Sequence, residues 1–287
     1  MPEATEGPLP YYAQQGVVTE PGEQASLLDG LPTDPAALRD VVQGVLLHLH
    51  WASRYGVDLT EARKAEASTR QVGQMLARIH ELDARPLTTA RPLGKRLVGT
   101  CRDFATLLCA MLRHQGVPAR ARCGFGAYFT PERYEDHWVG EYWHAGEARW
   151  VRVDAQLDAM QCEALQIDFD PLDVPHDRFL VAGKAWQMCR SGEADPDHFG
   201  IFDMWGLWFV RGNLVRDLAA LNKVELLPWD WQGWPLIERQ KEALSEADLA
   251  LLDRAAALTL ADNDSFTAVR AIYTENADFQ PPAGWQP

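Results

Sequence analysis

Residues 98–116 read VGTCRDFATLLCAMLRHQG, and this stretch decides how the chain folds. Phe104, Leu107, Leu108, Met111 and Leu112 recur at i, i+3, i+4, i+7 and i+8, the apolar stripe of an amphipathic helix packed on a core. Thr100 is a good N-cap, and Asp103 stands three residues on as a short version of the capping-box acid. Gly116 and Pro118 stop the helix. Cys101 therefore falls in the first helical turn.

Strands are expected downstream over Ala119–Phe129, His137–His144 and Arg149–Asp154, with Ala145-Gly146-Glu147-Ala148 as the hairpin turn between the last two. Upstream, residues 1–35 are rich in Pro, Gly and Glu and read as an irregular arm. Pro35 then opens a helix carrying Leu38, Val41, Val42, Val45, Leu46 and Leu49. A second helix is expected over Leu59–Leu82, with Val72, Met75, Leu76 and Ile79 as its stripe. Beyond the strands the pattern is helical at 176–190, 203–221, 245–258 and 264–276. The organisation expected is an irregular arm (1–35), a helical part (36–92), a catalytic core (93–175) and a helical, Trp-rich part packed on that core (176–287). The fold class is α+β.

With 287 residues, 47% hydrophobic and 24% charged, the chain has an ordinary globular balance. A formal charge of −14 argues against nucleic acid and anionic membranes as partners, since both would repel it. No apolar run approaches the length of a membrane span, and residues 1–35 lack the basic and apolar regions of a signal peptide. The five cysteines form no C-x-x-C pair. These features point to a reduced, cytoplasmic protein without a cofactor.

A cysteine in the first turn of a helix sits where backbone N–H groups and the positive end of the macrodipole favour its thiolate. Cys101 has that place. Cys109 lies mid-helix, Cys123 in a strand, Cys162 in an acidic stretch and Cys189 near a helix end, where a thiol is a small hydrophobe. A thiolate nucleophile needs a base, and the base an orienting group. Alternation places His137, Val139, Glu141 and Trp143 on one strand face and Trp150, Arg152 and Asp154 on one face of the next. A turn of even length keeps His137 and Asp154 on the same side, with Trp143 opposite Trp150 or His137 opposite Asp154 as the alternatives; an odd turn separates them. Taken alone, His137 reads more readily as a partly buried histidine bonded to backbone, and Asp154 as a cap for the following turn. His144 is the rival base, but on the opposite face. His114 reads as a helix C-terminal residue favoured by the dipole.

The segment GTCRDFATLLCAMLRHQGVPAR resembles the nucleophile motif of the transglutaminase-like superfamily, DHWVGEYW its histidine motif and RWVRVD its aspartate motif. The resemblance covers about residues 94–158. It implies a papain-like α+β core, with the cysteine helix packed against an antiparallel sheet that carries His and Asp. It further implies Cys101 as nucleophile, His137 as general base and acid, Asp154 as orienting carboxylate and Arg120 as a structural position. The activity implied is thiol-dependent acyl transfer or amide hydrolysis through a Cys thioester, on an amide- or peptide-containing substrate, small molecule or protein. Hydrolysis or small-molecule acyl transfer is favoured over protein cross-linking. No calcium-ligand pattern is visible, and LVGTC does not fit the R-G-G-x-C signature of the arylamine acyltransferases.

Two other readings are weaker. A catalytically inactive binding or scaffold protein of the same fold is disfavoured because all three motif residues are present. A metal site from His176, Asp177, Cys189 and His198 matches no ligand spacing. Seven of the 11 tryptophans lie beyond residue 185, three of them in LPWDWQGWP. They are read as packing anchors in preference to the lining of an acyl site.

Overall fold

The strand Leu97–Gly99 runs almost directly into the helix Cys101–His114, in a computed structural model that describes residues 7–238 and 244–287. In chain order the first elements are α1 (Pro8–Tyr12), α2 (Pro35–Val45), β1 (Leu46–His48), α3 (Glu61–Lys64), α4 (Val72–Leu82), β2 (Leu97–Gly99) and α5 (Cys101–His114). There follow β3 (Ala119–Gly126), β4 (Tyr134–His144), β5 (Arg149–Val153), α6 (Ala159–Leu165), β6 (Phe179–Val181) and α7 (Ala182–Ser191). The chain ends with β7 (Phe199–Ile201), β8 (Met204–Trp205), α8 (Leu207–Leu221), α9 (Pro235–Glu238), α10 (Glu246–Leu260) and α11 (Phe266–Glu275). Helix and sheet are thus mixed, an α+β composition. Two compact units divide the described residues. The first draws on Met1–Ala121, Val139–Val174 and Pro287, the second on Arg122–Trp138 and Pro175–Gln286.

In the first unit α5 is buried from Cys101 through Arg113, on its polar side as well as its apolar stripe. Burial of the polar side is tolerated because its groups find partners inside the unit. Arg102 Nη1 donates to Asp103 Oδ1 at 2.9 Å, Thr106 Oγ1 to the Arg102 carbonyl at 2.9 Å, and Arg113 Nε to the Ala119 carbonyl at 2.9 Å. Helix α2 stops at Val45 and the chain continues as β1, parallel to β2, with Leu46 beside Leu97 and His48 beside Gly99. The helical periodicity expected to run on to Leu49 loses here to strand pairing, which the Leu46-Leu47 pair serves equally well. The helix expected over Leu59–Leu82 is broken at Ser68-Thr69, two weak helix formers, into α3, a 3-10 turn Ala65–Ser68 and α4. Glu66 ties these pieces to β2: its carboxylate accepts from Arg63, Arg78 and the Val98 backbone N–H.

Strands β4 and β5 form an antiparallel hairpin with Trp143 opposite Trp150, Glu141 opposite Arg152 and Gly140 opposite Val153. Pairing ends at His144–Arg149, so the loop is Ala145–Ala148, even in length. Helix α5 lies against this hairpin at Gly140, where a Cβ would come within 3.2 Å of Leu108 Cδ2. Glu141 is buried and bridges two arginines, accepting from Arg120 Nε at 2.7 Å and Arg152 Nε at 2.8 Å. The Arg120 guanidinium stacks 4.1 Å from the Trp150 ring, which Tyr12 of α1 meets edge-on. The stretch expected to be irregular therefore contributes a short helix, and also a 3-10 turn at Gly22–Leu28. Residues 1–6 of that stretch lie outside the described residues.

In the second unit β3 pairs antiparallel with β6, and the start of β4 pairs in parallel with β7, which folds back on β8. Strand β6 takes the start of the region read as helical from 176, and β8 that of the region read as helical from 203, leaving α7 and α8 as the helices. Strands of two or three residues carry too little periodicity to outweigh a neighbouring helical stripe. Helices α7, α8 and α10 pack on one another. Gly183 permits the closest approach, since a Cβ there would lie 2.2 Å from Thr259 Oγ1 and 2.8 Å from the Ala256 carbonyl oxygen. The buried Arg122–Asp217 pair is bidentate, at 2.9 and 2.8 Å. Of the LPWDWQGWP tryptophans, Trp234 is buried and Trp229 and Trp231 are exposed. Among the described residues no helix is long and apolar enough to cross a membrane.

Candidate functional site

Cys101 is the first residue of α5, buried but not sealed, with 8% of its surface exposed. Its position depends on the cap before it. Asp103 Oδ2 accepts from the Thr100 backbone N–H at 2.7 Å and from the Thr100 hydroxyl at 3.2 Å, the return half of a capping box. Burial pushes the Asp103 carboxyl above the usual range, and Arg102 and Thr100 oppose that shift. Gly99 is required for the same geometry, because a Cβ there would stand 2.9 Å from Asp103 Oδ2 and 3.0 Å from Asp103 Cβ. The backbone N–H groups that follow Thr100 have no carbonyl four residues back within the helix, so the turn at Cys101 is a region of positive potential.

The other thiols are poor nucleophiles by location. Cys109 and Cys123 are fully buried. Burial pushes the Cys189 thiol up to about 12, with Asp195 adding to it, so the thiolate is disfavoured. Burial likewise raises the Cys162 thiol, helped by the charges of Asp154 and Asp158.

Asp154 follows β5 directly and is fully buried. Its Oδ1 accepts from the Gln156 N–H at 3.1 Å and its backbone N–H donates to the Pro171 carbonyl at 2.8 Å. The hairpin pairing ends one residue before Asp154, at Val153 opposite Gly140. His137 lies two residues before Val139 in β4, is 2% exposed, and belongs to the second unit. Its ring meets Phe129, Tyr128 and Phe179 edge-on, with centroids at 4.8, 5.9 and 6.3 Å. The neighbouring Asp136 carboxyl is pushed up by burial, opposed by Arg216 and by the Asn213 amide that donates to it at 2.8 Å. His144, the rival base, is part-exposed and accepts the Glu147 backbone N–H at 3.1 Å. His114 Nε2 lies 3.1 Å from Asp29 Oδ1 at the end of α5.

Residues 56–155 match the model of the transglutaminase-like superfamily. The matched segment contains Cys101, His137 and Asp154. The match begins at Gly56, well before the three motifs, so α3 and α4 fall within it. About a third of the chain is covered. No curated protein and no solved structure matches the chain. Among the described residues no group of three or more His, Cys, Asp or Glu side chains is arranged to hold a metal ion.

Sequence reading passed over a set of polar groups in the first unit. Tyr55, Arg96, Gln156, Asp158 and Gln161 line a cleft together with Phe104 of α5. Only Asp158 carried a local signal. With Gln161 three residues on, it has the pattern of a helix N-cap, and it does cap α6, accepting from the Gln161 N–H at 2.9 Å.

Proposed function

We propose that the chain is a thiol-dependent acyl-transfer or amide-hydrolysing enzyme, with Cys101 as nucleophile, His137 as base and acid, and Asp154 as the group that orients His137. The observation that carries this reading is the place of Cys101: first residue of a capped, buried helix inside the segment that matches the transglutaminase-like model. The even hairpin loop is a second support: alternation along β4 gives His137 the side of Glu141, which pairs with Arg152, and alternation past β5 gives Asp154 the side of Arg152.

In this mechanism the Cys101 thiolate attacks an amide carbonyl, and the charge that develops on oxygen is met by backbone N–H groups at the start of α5. The imidazolium of His137 protonates the departing nitrogen as the C–N bond breaks, leaving a thioester. Neutral His137 then takes a proton from water, or from an amine acceptor, as that group attacks the thioester and the Cys101 thiolate departs. The Asp154 carboxylate holds the imidazole tautomer and stabilises its charged form.

Iodoacetamide at pH 7, read by intact mass and peptide mapping, tests the reading. One fast label at Cys101, lost in Cys101→Ala and slowed in His137→Ala, is the expected result. Labelling of Cys101 no faster than of Cys162 would refute an activated thiolate and favour a catalytically inactive scaffold.

A further inference from the structure

After β3 the chain of the second unit bends through residues 127–133 before β4 begins at Tyr134. Tyr128 and Phe129 are neighbours in this loop, and neighbours in extended chain send their side chains to opposite sides. Here both rings fold to one place. They lie 4.6 Å apart, and their centroids stand 5.9 and 4.8 Å from that of His137. Gly126 makes the fold-back possible, since a Cβ there would meet Phe129 Cε2 at 2.7 Å and Tyr128 Cζ at 3.0 Å. The loop is tied on both sides of the pair: the Ala127 N–H donates to the Arg178 carbonyl at 2.8 Å, and the Thr130 hydroxyl donates to Glu135.

His137 is buried, whereas Tyr128 and Phe129 are both half-buried. An aromatic pair that keeps part of its area in water while held in this way is a surface prepared for an apolar group. Three charged residues close by in sequence are engaged elsewhere. The Arg133 guanidinium lies 4.4 Å over the Trp205 ring, Glu135 takes the Thr130 hydroxyl, and Asp136 accepts from the Asn213 amide at 2.8 Å. The place of the pair also fixes which part of a substrate reaches it. In the proposed reaction His137 hands its proton to the departing nitrogen, so a group lying against rings packed on His137 is the one borne by that nitrogen.

We propose that Tyr128 and Phe129 are specificity-determining residues, an aromatic wall that selects amides whose amine half carries an apolar, ring-sized group beside its nitrogen. An acceptor amine uses the same wall, because its attack on the thioester is the departure step in reverse. The N–C bond forms, the C–S bond breaks, and the amine proton passes to His137. This deepens the acyl-transfer reading and rests on it for the thioester.

The test is a competition for one acyl-enzyme. The full chain is acylated with p-nitrophenyl acetate, and benzylamine and methoxyethylamine compete for it at equal concentrations. The two are matched in basicity and in access to the nitrogen, and only the first carries an apolar ring. The ratio of the two acetamides, read by mass spectrometry after subtraction of a Cys101→Ala blank, does not depend on how fast the thioester forms or on the fraction of chain that is folded. The benzyl product should lead by about tenfold or more. The ratio should fall toward one in Phe129→Ala and in Tyr128→Ala, and Phe129→Leu, which keeps apolar bulk, should lie between. A ratio near one in the parent, a ratio unchanged in both alanine variants, or a thioester that yields acetate alone would overturn the proposal. Failure of the underlying reading looks different: p-nitrophenol release, before any amine is added, would be the same in Cys101→Ala as in the parent, and the wall would fall with it.

Discussion

Replacing Glu141 is the sharpest test of how the hairpin is held. Its carboxylate is 2% exposed and accepts charge-assisted bonds at 2.7 and 2.8 Å from Arg120 and Arg152, themselves 2% and 7% exposed. In Glu141→Ala both guanidinium groups lose this acceptor while staying in a low-dielectric setting. Breaking a buried ion pair by removing one partner costs about 3–5 kcal/mol. For a chain of this size each kcal/mol moves the melting temperature by about 2–4 °C, so a fall of roughly 10 °C in thermal unfolding followed by circular dichroism is expected. The same physics makes a second, less intuitive demand. Replacing the whole cluster with Arg120→Met, Glu141→Leu and Arg152→Met removes the charges together and should recover most of the loss. A single variant melting within about 2 °C of the parent would refute the reasoning, as would a triple variant less stable than the single one.

Four further outcomes are expected. Gly99→Ala pushes a methyl against Asp103 and should cost about 1–3 kcal/mol; the same melt checks this, and the selectivity of iodoacetamide for Cys101 should fall with it. Gly183→Ala meets the Ala256 carbonyl as well as Thr259 and should cost about 3 kcal/mol or more, whereas Asp173→Asn, which breaks an exposed pair with Arg149, should cost under about 1 kcal/mol. Asp136 has a folded-state pKa raised by burial, so its contribution is fully present below about pH 4 and is lost as pH rises through the raised value. The melting temperature of Asp136→Asn minus that of the parent should therefore grow as pH rises from 4, and parallel curves would remove the assignment.

The features legible in the sequence are those written locally. Thr100 and Asp103 are three residues apart, and their cap forms as the spacing suggests. Alternation and an even turn narrow the hairpin to two registers, and the structure takes the one with Trp143 opposite Trp150. Periodicity also marks α5, although it shows only one buried face; on the other, Arg102 and Arg113 reach partners far along the chain, the Arg70 carbonyl and the Thr19 hydroxyl, which no local pattern announces. The rest is distributed along the chain. Glu141 meets Arg120 from another strand, and Tyr55, Arg96 and Gln156 come from three separate stretches. Gly99 did carry a readable signal, a glycine before a capping box. Its reason is a collision with Asp103, which appears only once the helix start is built. The short strands β6, β7 and β8 escaped because two or three residues give pairing partners more influence than sequence pattern.

The relay from Gln156 through Gln161 and Tyr55 to Asp158 behaves as a set of coupled switches. A carboxylate at one end forces every member to pass its hydrogen the same way, so an acceptor emerges at the other end. Were Asp158 replaced by a group that donates to Tyr55, the tyrosine hydrogen would turn to Gln161 and both amides would have to rotate by half a turn, so that Gln156 offered a donor. The chemical taste of the cleft is thus encoded at its far end, where a single edit inverts it.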